Sequence, residues 1–489
     1  MCHGSLPCNE RMDYTQASAS QTLTAANPAS NKPEKPTLVR GMSFLDAVLL
    51  LVGGIIGSGL FLTSSDVAKT TYTPLIFMSA WIVGGIVSLL ACLSVAELGS
   101  MFPEAGGQYV YLREAYGDFP AFLYGWMIFS VNVTGSNATI AAGFAAYAGA
   151  IIAPLNATRP IFSIGAWTFN MGHATAISAI VFLTWINVVG LRPAVILQNI
   201  ATWAKFIAIA GFLVLGFLIG HGSWHNATQP IPGHVGFLSL ASGFGVALIA
   251  VFWVYDGWVY ATWVAGEIKD PQRNVPRSLI YGIAIVAAVI LAVNVLYLYA
   301  MPMQQMAMQD TVGQAAAQIL FFPAIGRWFS ALVAIACFGA AACSILSGAR
   351  VYYAMAADGL FFQKLAEVHP RWRTPAFSLI VQCIWSCALV LTGRYDQLFT
   401  FVMFISVIAY AAAASSIFVL RRKRPDMPRP YKCPGYPWVP LAYCVICGAW
   451  ALNALWSKPF ESLAGVGIML IGAPAYIYWH RAKRKPAVL

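Results

Sequence analysis

The run Gly54-Ile55-Ile56-Gly57-Ser58-Gly59 interrupts an apolar stretch that extends from about Phe44 to Leu62. In hydrocarbon an unpaired backbone group costs several kcal/mol, so such an interruption persists only where it lines a cavity or is buried in protein. The freed amides and carbonyls are then available to a ligand with donors and acceptors of its own. Gly53 and Gly57 also have the spacing of a close helix-packing motif, which is the competing reading. A second interruption, Phe252-Trp253-Val254-Tyr255-Asp256-Gly257-Trp258, places an acid and a glycine inside another apolar stretch. A half-helix that starts at a break offers N–H groups and a positive dipole end, which suit a carboxylate. One that ends there offers carbonyls, which suit an ammonium. Together these groups are complementary to the backbone of an amino acid.

The elements that position them are membrane helices. The chain is 59% hydrophobic and 10% charged, with a mean hydropathy of +0.69, against roughly 25% charged residues in soluble domains. Apolar stretches of about twenty residues begin near positions 43, 74, 119, 173, 194, 243, 277, 325, 375, 396, 437 and 460, which predicts about twelve spans. No stretch is left for a large soluble domain. Residues 1–40 are polar, without an apolar core of signal-peptide length, and read as a disordered cytoplasmic tail. Cys2 and Cys8 lie in that tail, and most of the other cysteines lie in or near spans, so no disulfide framework is implied. Cys444 and Cys447 form a C-x-x-C without metal-ligand neighbours and read as packing.

The net charge is +11, from 29 Lys and Arg against 18 Asp and Glu. With the N-terminus inside, Arg40, Arg113, Arg192, Lys269, Arg273, Arg277, Arg371 and the run Arg421-Arg422-Lys423-Arg424 fall on the cytoplasmic side with most other basic residues. The opposite loops hold only Lys69, Arg159, Arg327, Arg394 and Lys458, which predicts both termini in the cytoplasm. No basic stripe accompanies a soluble fold, so nucleic acid is not an expected partner. The first and sixth spans are broken alike, and paired breaks half a repeat apart point to an inverted-repeat transporter with its site at the midplane.

Lys205 lies midway along the fifth span, too deep to snorkel easily, and an intramembrane charge is functional by default. A buried structural ion pair is the alternative. Asp256 has three readings: recognition of a cationic side chain, a proton site, or a cap on a broken helix end. Glu97, Glu104, Arg113, Glu267, Arg350 and Asp358 fall near cytoplasmic helix ends, as a gate of paired charges or as solvated boundary residues. Neither a His-Glu-x-x-His nor a nucleophile elbow occurs, so no catalytic residue, metal or cofactor is expected.

Four motifs in order carry a resemblance: Val52 to Phe61; Phe102-Pro103-Glu104-Ala105-Gly106-Gly107-Gln108-Tyr109; Tyr255-Asp256-Gly257-Trp258 through Gly266-Glu267 to Asn274-Val275-Pro276; and Gly348-Ala349-Arg350 through Ala357-Asp358-Gly359 to Pro375. Over residues 40 to 480 the chain resembles the amino acid-polyamine-organocation superfamily, and within it the L-type amino acid transporters. The resemblance implies an all-α polytopic fold of about twelve helices, built as a 5+5 inverted repeat with helices 1 and 6 broken. Residues 41–220 would form the first repeat, 243–420 the second, 421–480 two accessory spans, and 481–489 a cytoplasmic tail. It implies a substrate site of Ile55, Gly57, Ser58, Gly59, Trp253, Val254, Tyr255, Asp256 and Gly257. Amides around Ser58 and Gly59 would take the carboxylate, and the carbonyls of Ile55, Trp253, Val254 and Asp256 the ammonium.

In the same resemblance, Trp253 is the aromatic that closes over substrate. Lys205 stands where sodium-coupled members of the wider fold bind an ion, linking the first and eighth helices and supporting sodium-independent exchange. Many L-type members have a polar residue where this chain has Val259. Heteromeric members pair with a glycoprotein through a cysteine between the third and fourth spans, and the loop from Pro154 to Asn170 has none, so no disulfide-linked heavy subunit is expected. The expected activity is alternating-access exchange of neutral amino acids in the cell membrane. The alternative is a proton-coupled or cationic amino-acid or polyamine transporter.

Overall fold

A computed structural model describes residues 37–165, 167–232, 236–392, 395–457 and 459–484. The tail expected over 1–40 therefore lies outside the described residues up to position 36, as does 485–489 at the other end.

Twelve helical segments follow one another. The first span comprises Phe44–Ile55, Gly59–Leu62 and Ser64–Thr71, and the second is Pro74–Met101. The third runs through Asp118–Met127 and Val133–Ile151, joined by the wide turn Ile128–Asn132. Then come Met171–Val189, Leu191–Leu218, the sixth span Phe237–Val254 with Tyr260–Trp263, Pro271–Ala300, Ile325–Ala357, Ala376–Thr392, Tyr395–Lys423, Trp438–Ser457 and Pro459–Arg484. Eight of these helices are long and apolar enough to cross a membrane. The broken first and sixth spans, the interrupted third and the short ninth complete the twelve.

Local chemistry sets the boundaries. The first helix opens on a capping box, in which Ser43 Oγ accepts from the Asp46 N–H at 3.2 Å and Asp46 Oδ2 accepts from the Ser43 N–H at 2.7 Å. The second starts with Pro74 at its first turn, behind Thr73, whose hydroxyl accepts from the Ile76 N–H. The seventh begins six residues before its apolar run, because Pro271 fits the first helical turn outside the apolar region. In the third span the wide turn ends at Asn132, whose side-chain amide donates to Ser406 Oγ of the tenth span at 2.8 Å.

One element departs from an all-helical chain. The loop after the third span contains a hairpin, Pro160–Ile164 paired antiparallel with Trp167–Asn170. Its aromatic and β-branched residues suit a pleated ribbon. Phe162 stacks on Phe169 at 5.0 Å, and Trp167 Nε1 donates to Leu391 O at 3.0 Å, which pins the hairpin to the end of the ninth span.

The second span packs along the seventh, the third along the eighth, and the first sits between the fifth, seventh and eighth. The eighth is the most enclosed, so the two breaks are held against a buried, nearly unbroken helix.

Candidate functional site

The first break is a change of hydrogen-bond register. Ile56 N–H still reaches Val52 O, but Gly57 N–H turns back to Ile55 O at 2.9 Å, and a new turn starts at Gly59. The amides of Gly59 and Leu60 find no acceptor among the described residues, as expected for the first turn of a helix.

The sixth span breaks in the complementary sense. Asp256 N–H folds back to Trp253 O at 3.1 Å, and Gly257 N–H donates to Asp256 Oδ1 at 2.9 Å. The carbonyls of Val254 and Asp256 accept from no described residue. Gly257 has φ +111°, and a Cβ there would lie 3.3 Å from both the Gly54 carbonyl carbon and the Ile55 nitrogen. The two breaks therefore touch, backbone against backbone, where no side chain fits comfortably.

Between them lies a cavity of about 50 Å³. Of the residues expected at the site, Ile55, Gly57, Ser58, Gly59, Trp253, Val254 and Asp256 line it. The other two do not. Tyr255 is buried with its hydroxyl donating to Trp81 O of the second span at 3.2 Å, and Gly257 serves as the contact between the breaks. The side chain of Tyr255 thus fastens the sixth span to the second.

Sequence reasoning missed four groups of the lining: Ser136, Thr139 and Ile140 of the third span, Tyr260, Gly54 and Ala340. Thr139 Oγ1 is buried without a partner among the described residues. A signal existed, since Thr134-Gly135-Ser136-Asn137-Ala138-Thr139 is a polar run inside an apolar span. The packing reading of the glycines also holds in part: a Cβ at Gly53 would fall 2.2 Å from Thr202 Oγ1 and 3.2 Å from Cys343 Sγ.

Lys205 is fully enclosed, and its Nζ donates to Gly53 O at 2.6 Å and Ile56 O at 2.9 Å. Both acceptors are carbonyls released by the first break. Gly339 of the eighth span makes room for it, since a Cβ there would stand 3.1 Å from the ammonium. The lysine is therefore a charge held by carbonyl dipoles, with no carboxylate within ion-pair distance among the described residues.

Toward the face where the chain enters, a layer of polar contacts joins the spans around the breaks. Met42 N–H donates to Glu267 O and Lys269 N–H to Met42 O, joining the start of the first span to the end of the sixth. Glu267 and Arg350 form a bidentate pair at 2.7 and 3.0 Å, both side chains wholly buried. Arg113 pairs with Asp358, which also accepts from the Tyr109 hydroxyl at 2.8 Å. Gln108 Oε1 accepts from Trp263 Nε1 and Thr262 Oγ1, which anchors the second piece of the sixth span.

Glu97 is buried and receives Arg421 at 2.6 and 2.9 Å and the Cys433 N–H at 2.7 Å. In that loop, burial and then the charge of Glu97 push the Cys433 thiol up to about 11, so it stays protonated. Of the six charged residues expected as a gate, five are paired, and Glu104 is exposed without an ion partner among the described residues. Among the described residues no cluster of His, Cys, Asp or Glu could hold a metal ion.

A family model described as amino acid permease matches residues 42–466. The chain is 29% identical over 451 residues to the serine/threonine exchanger SteT of Bacillus subtilis (strain 168), covering 92% of this chain and 98% of that protein. It is 29% identical over 461 residues to the human large neutral amino acids transporter small subunit 2, covering 91% of this chain and 82% of the relative. The human b(0,+)-type amino acid transporter 1 is 29% identical over 454 residues, with 91% and 89% covered.

Removing one partner of the Glu267–Arg350 pair strands a buried charge, which costs about 3–5 kcal/mol, whereas replacing both with apolar residues of similar size is often neutral. Glu267→Ala is therefore expected to lower the thermal midpoint of the purified protein sharply, and Glu267→Leu combined with Arg350→Met to recover most of it. Equal midpoints for Glu267→Ala and the unmodified protein would show that the pair contributes nothing to stability.

Proposed function

Because the chain belongs to the amino acid permease family, we propose that it is a sodium-independent exchanger of neutral amino acids, working by alternating access at its two broken helices. One observation carries this reading: Gly59, whose amide and that of the next residue Leu60 are unpaired, borders one cavity together with Val254 and Asp256, whose carbonyls are unpaired. A carboxylate on those amides and an ammonium on those carbonyls satisfy both sets at once. The name of the SteT relative, a serine/threonine exchanger, supports exchange and small substrates.

The size of the cavity supports the same class. About 50 Å³ is room for roughly three waters at about 15 Å³ each, less than even alanine needs, so any substrate enters only as Trp253 or Ile140 moves, and a bulky side chain requires the larger movement. In this reading Trp253 is the gate over the substrate. Residues 41–220 and 243–420 are the two repeats that rock against each other, and both termini face the cytoplasm of a cell carrying the protein in its bounding membrane. Lys205 supplies a fixed positive charge at the first break, in place of a transported ion. The loop from Pro154 to Asn170 lacks cysteine, which supports function without a disulfide-linked subunit. A second reading has one observation in its favour: Asp256 puts a carboxylate on the cavity wall, where it can accept a cationic side chain.

Three outcomes are expected. Counterflow of labelled alanine or serine in proteoliposomes proceeds without sodium and is strongly stimulated by amino acid on the opposite side; strict sodium dependence, or uptake driven only by a pH gradient, would overturn the exchange reading. Gly59→Leu abolishes binding while the protein stays monodisperse in detergent, because a Cβ at that position already approaches Val254 Cγ2 to 3.2 Å and a leucine fills the space before the amides. Lys205→Ala slows exchange by tenfold or more, about 1.4 kcal/mol of barrier, while weakening equilibrium binding much less, since the lysine contacts the first break from behind. A variant whose binding falls as far as its rate would instead put Lys205 in contact with substrate.

A further inference from the structure

Asp256 lies on the wall between two cavities. One is the amino-acid cavity already described. The other, of about 30 Å³, lies behind the sixth span among the second, tenth and eleventh spans, and its polar groups include Asp256, Ser88 and Tyr410. No Lys or Arg among the described residues is within ion-pair distance of Asp256. The hydrogen bond from Gly257 N–H occupies Oδ1 only. The buried Tyr410 hydroxyl approaches the carboxylate on the wall of this chamber closely enough to interact with it, without completing a well-aligned hydrogen bond.

A buried phenol with unfilled hydrogen-bonding capacity carries a cost of some kcal/mol, and a partly buried carboxylate with one oxygen left over gains from a further donor. An ordered water needs about 15 Å³ and two to four polar partners. The chamber meets both conditions for about two waters, with Ser88, Tyr410 and Asp256 as partners. Fixed from behind in this way, the carboxyl group keeps its aim toward the amino-acid cavity even when a neutral substrate offers it no cation.

We propose that this chamber is a hydration site through which Tyr410 and Ser88 position Asp256, making the two hydroxyls determinants of substrate side-chain charge. The inference rests on the reading that Asp256 faces the substrate. Neither hydroxyl touches the amino-acid cavity, so they act on selectivity and not on recognition of the substrate backbone.

The test uses the purified full-length protein, with alanine and arginine competing against one labelled amino acid. Asp256→Asn is expected to reduce the preference for arginine relative to alanine by tenfold or more. Tyr410→Phe and Ser88→Ala are each expected to change the same ratio in the same direction by about three- to tenfold, the worth of one hydrogen bond, with alanine competition changed less than twofold. Ala91→Val, which fills the chamber without altering a polar group, is expected to act like them. If arginine does not compete in the unmodified protein, or Asp256→Asn leaves the ratio unchanged, the premise that Asp256 faces substrate falls, and the chamber's role with it. If Asp256→Asn shifts the ratio and the chamber variants do not, the hydration site alone is overturned. Parallel loss of both competitors in Tyr410→Phe and Ser88→Ala would likewise overturn it, by showing a packing role.

Discussion

Hydrocarbon does not hydrogen-bond, and every feature around the two broken helices follows from that constraint. Unwinding the first span between Ile55 and Gly59 releases carbonyls and amides that water cannot reach from the lipid side. The carbonyls of Gly53 and Ile56 are taken by Lys205 from the fifth span. The ammonium is in turn tolerated because two carbonyl dipoles replace part of its hydration. Each half of this arrangement would be costly alone: a break without the lysine leaves acceptors unmet, and a lysine without the break has no carbonyls to hold. What remains unsatisfied is the amides on one side and the Val254 and Asp256 carbonyls on the other, the groups to which the proposed function assigns the substrate.

The glycines around the first break do two kinds of work. Gly53 has no space for a side chain because Thr202 and Cys343 press on it from the fifth and eighth spans. Gly57 and Gly59, by contrast, border the cavity. A close-packing motif and a cavity-lining motif thus overlap by a few residues of one helix. The overlap has a physical reason: the backbone comes close to its neighbours where Lys205 reaches Gly53 O, and a turn later it borders the cavity, where the proposed function needs its amides bare.

Much of this was legible in the sequence. Glycines and an acid inside apolar stretches located both breaks, Lys205 stood out as an intramembrane charge, and the starts of the twelve helices fall within about six residues of the apolar boundaries. Side-chain direction was not legible. Nothing in the string Tyr255-Asp256-Gly257 says that the tyrosine turns to Trp81 while its neighbour turns to the cavity, because the break abolishes the helical periodicity from which direction is read. Ser136 and Thr139 were overlooked because small hydroxyls in membrane helices commonly bond their own backbone. The charged residues at helix ends were visible, but the Glu97–Arg421 pair joins positions 324 apart, and such pairings belong to the tertiary structure alone. The Pro160–Asn170 hairpin was hidden by its length, since two short strands give no signal in a window sized for helices.

The contacts also constrain how one face could open. The N-terminal half of the first span and the second piece of the sixth meet at both ends, by the backbone approach of Gly257 to Ile55 at the breaks and by the Met42 hydrogen bonds to Glu267 and Lys269 at the face. Two segments tied at both ends move together or must break backbone hydrogen bonds in the process. Moving together, they encounter the eighth span through Glu267 and Arg350, so the buried ion pair lies across the displacement. Its geometry is fully desolvated and bidentate, hence strong only while intact and easily weakened once water enters between the partners. A latch of this kind holds a closed state without making opening prohibitive, because the water that enters as the face opens replaces the hydrogen bonds each charge gives up.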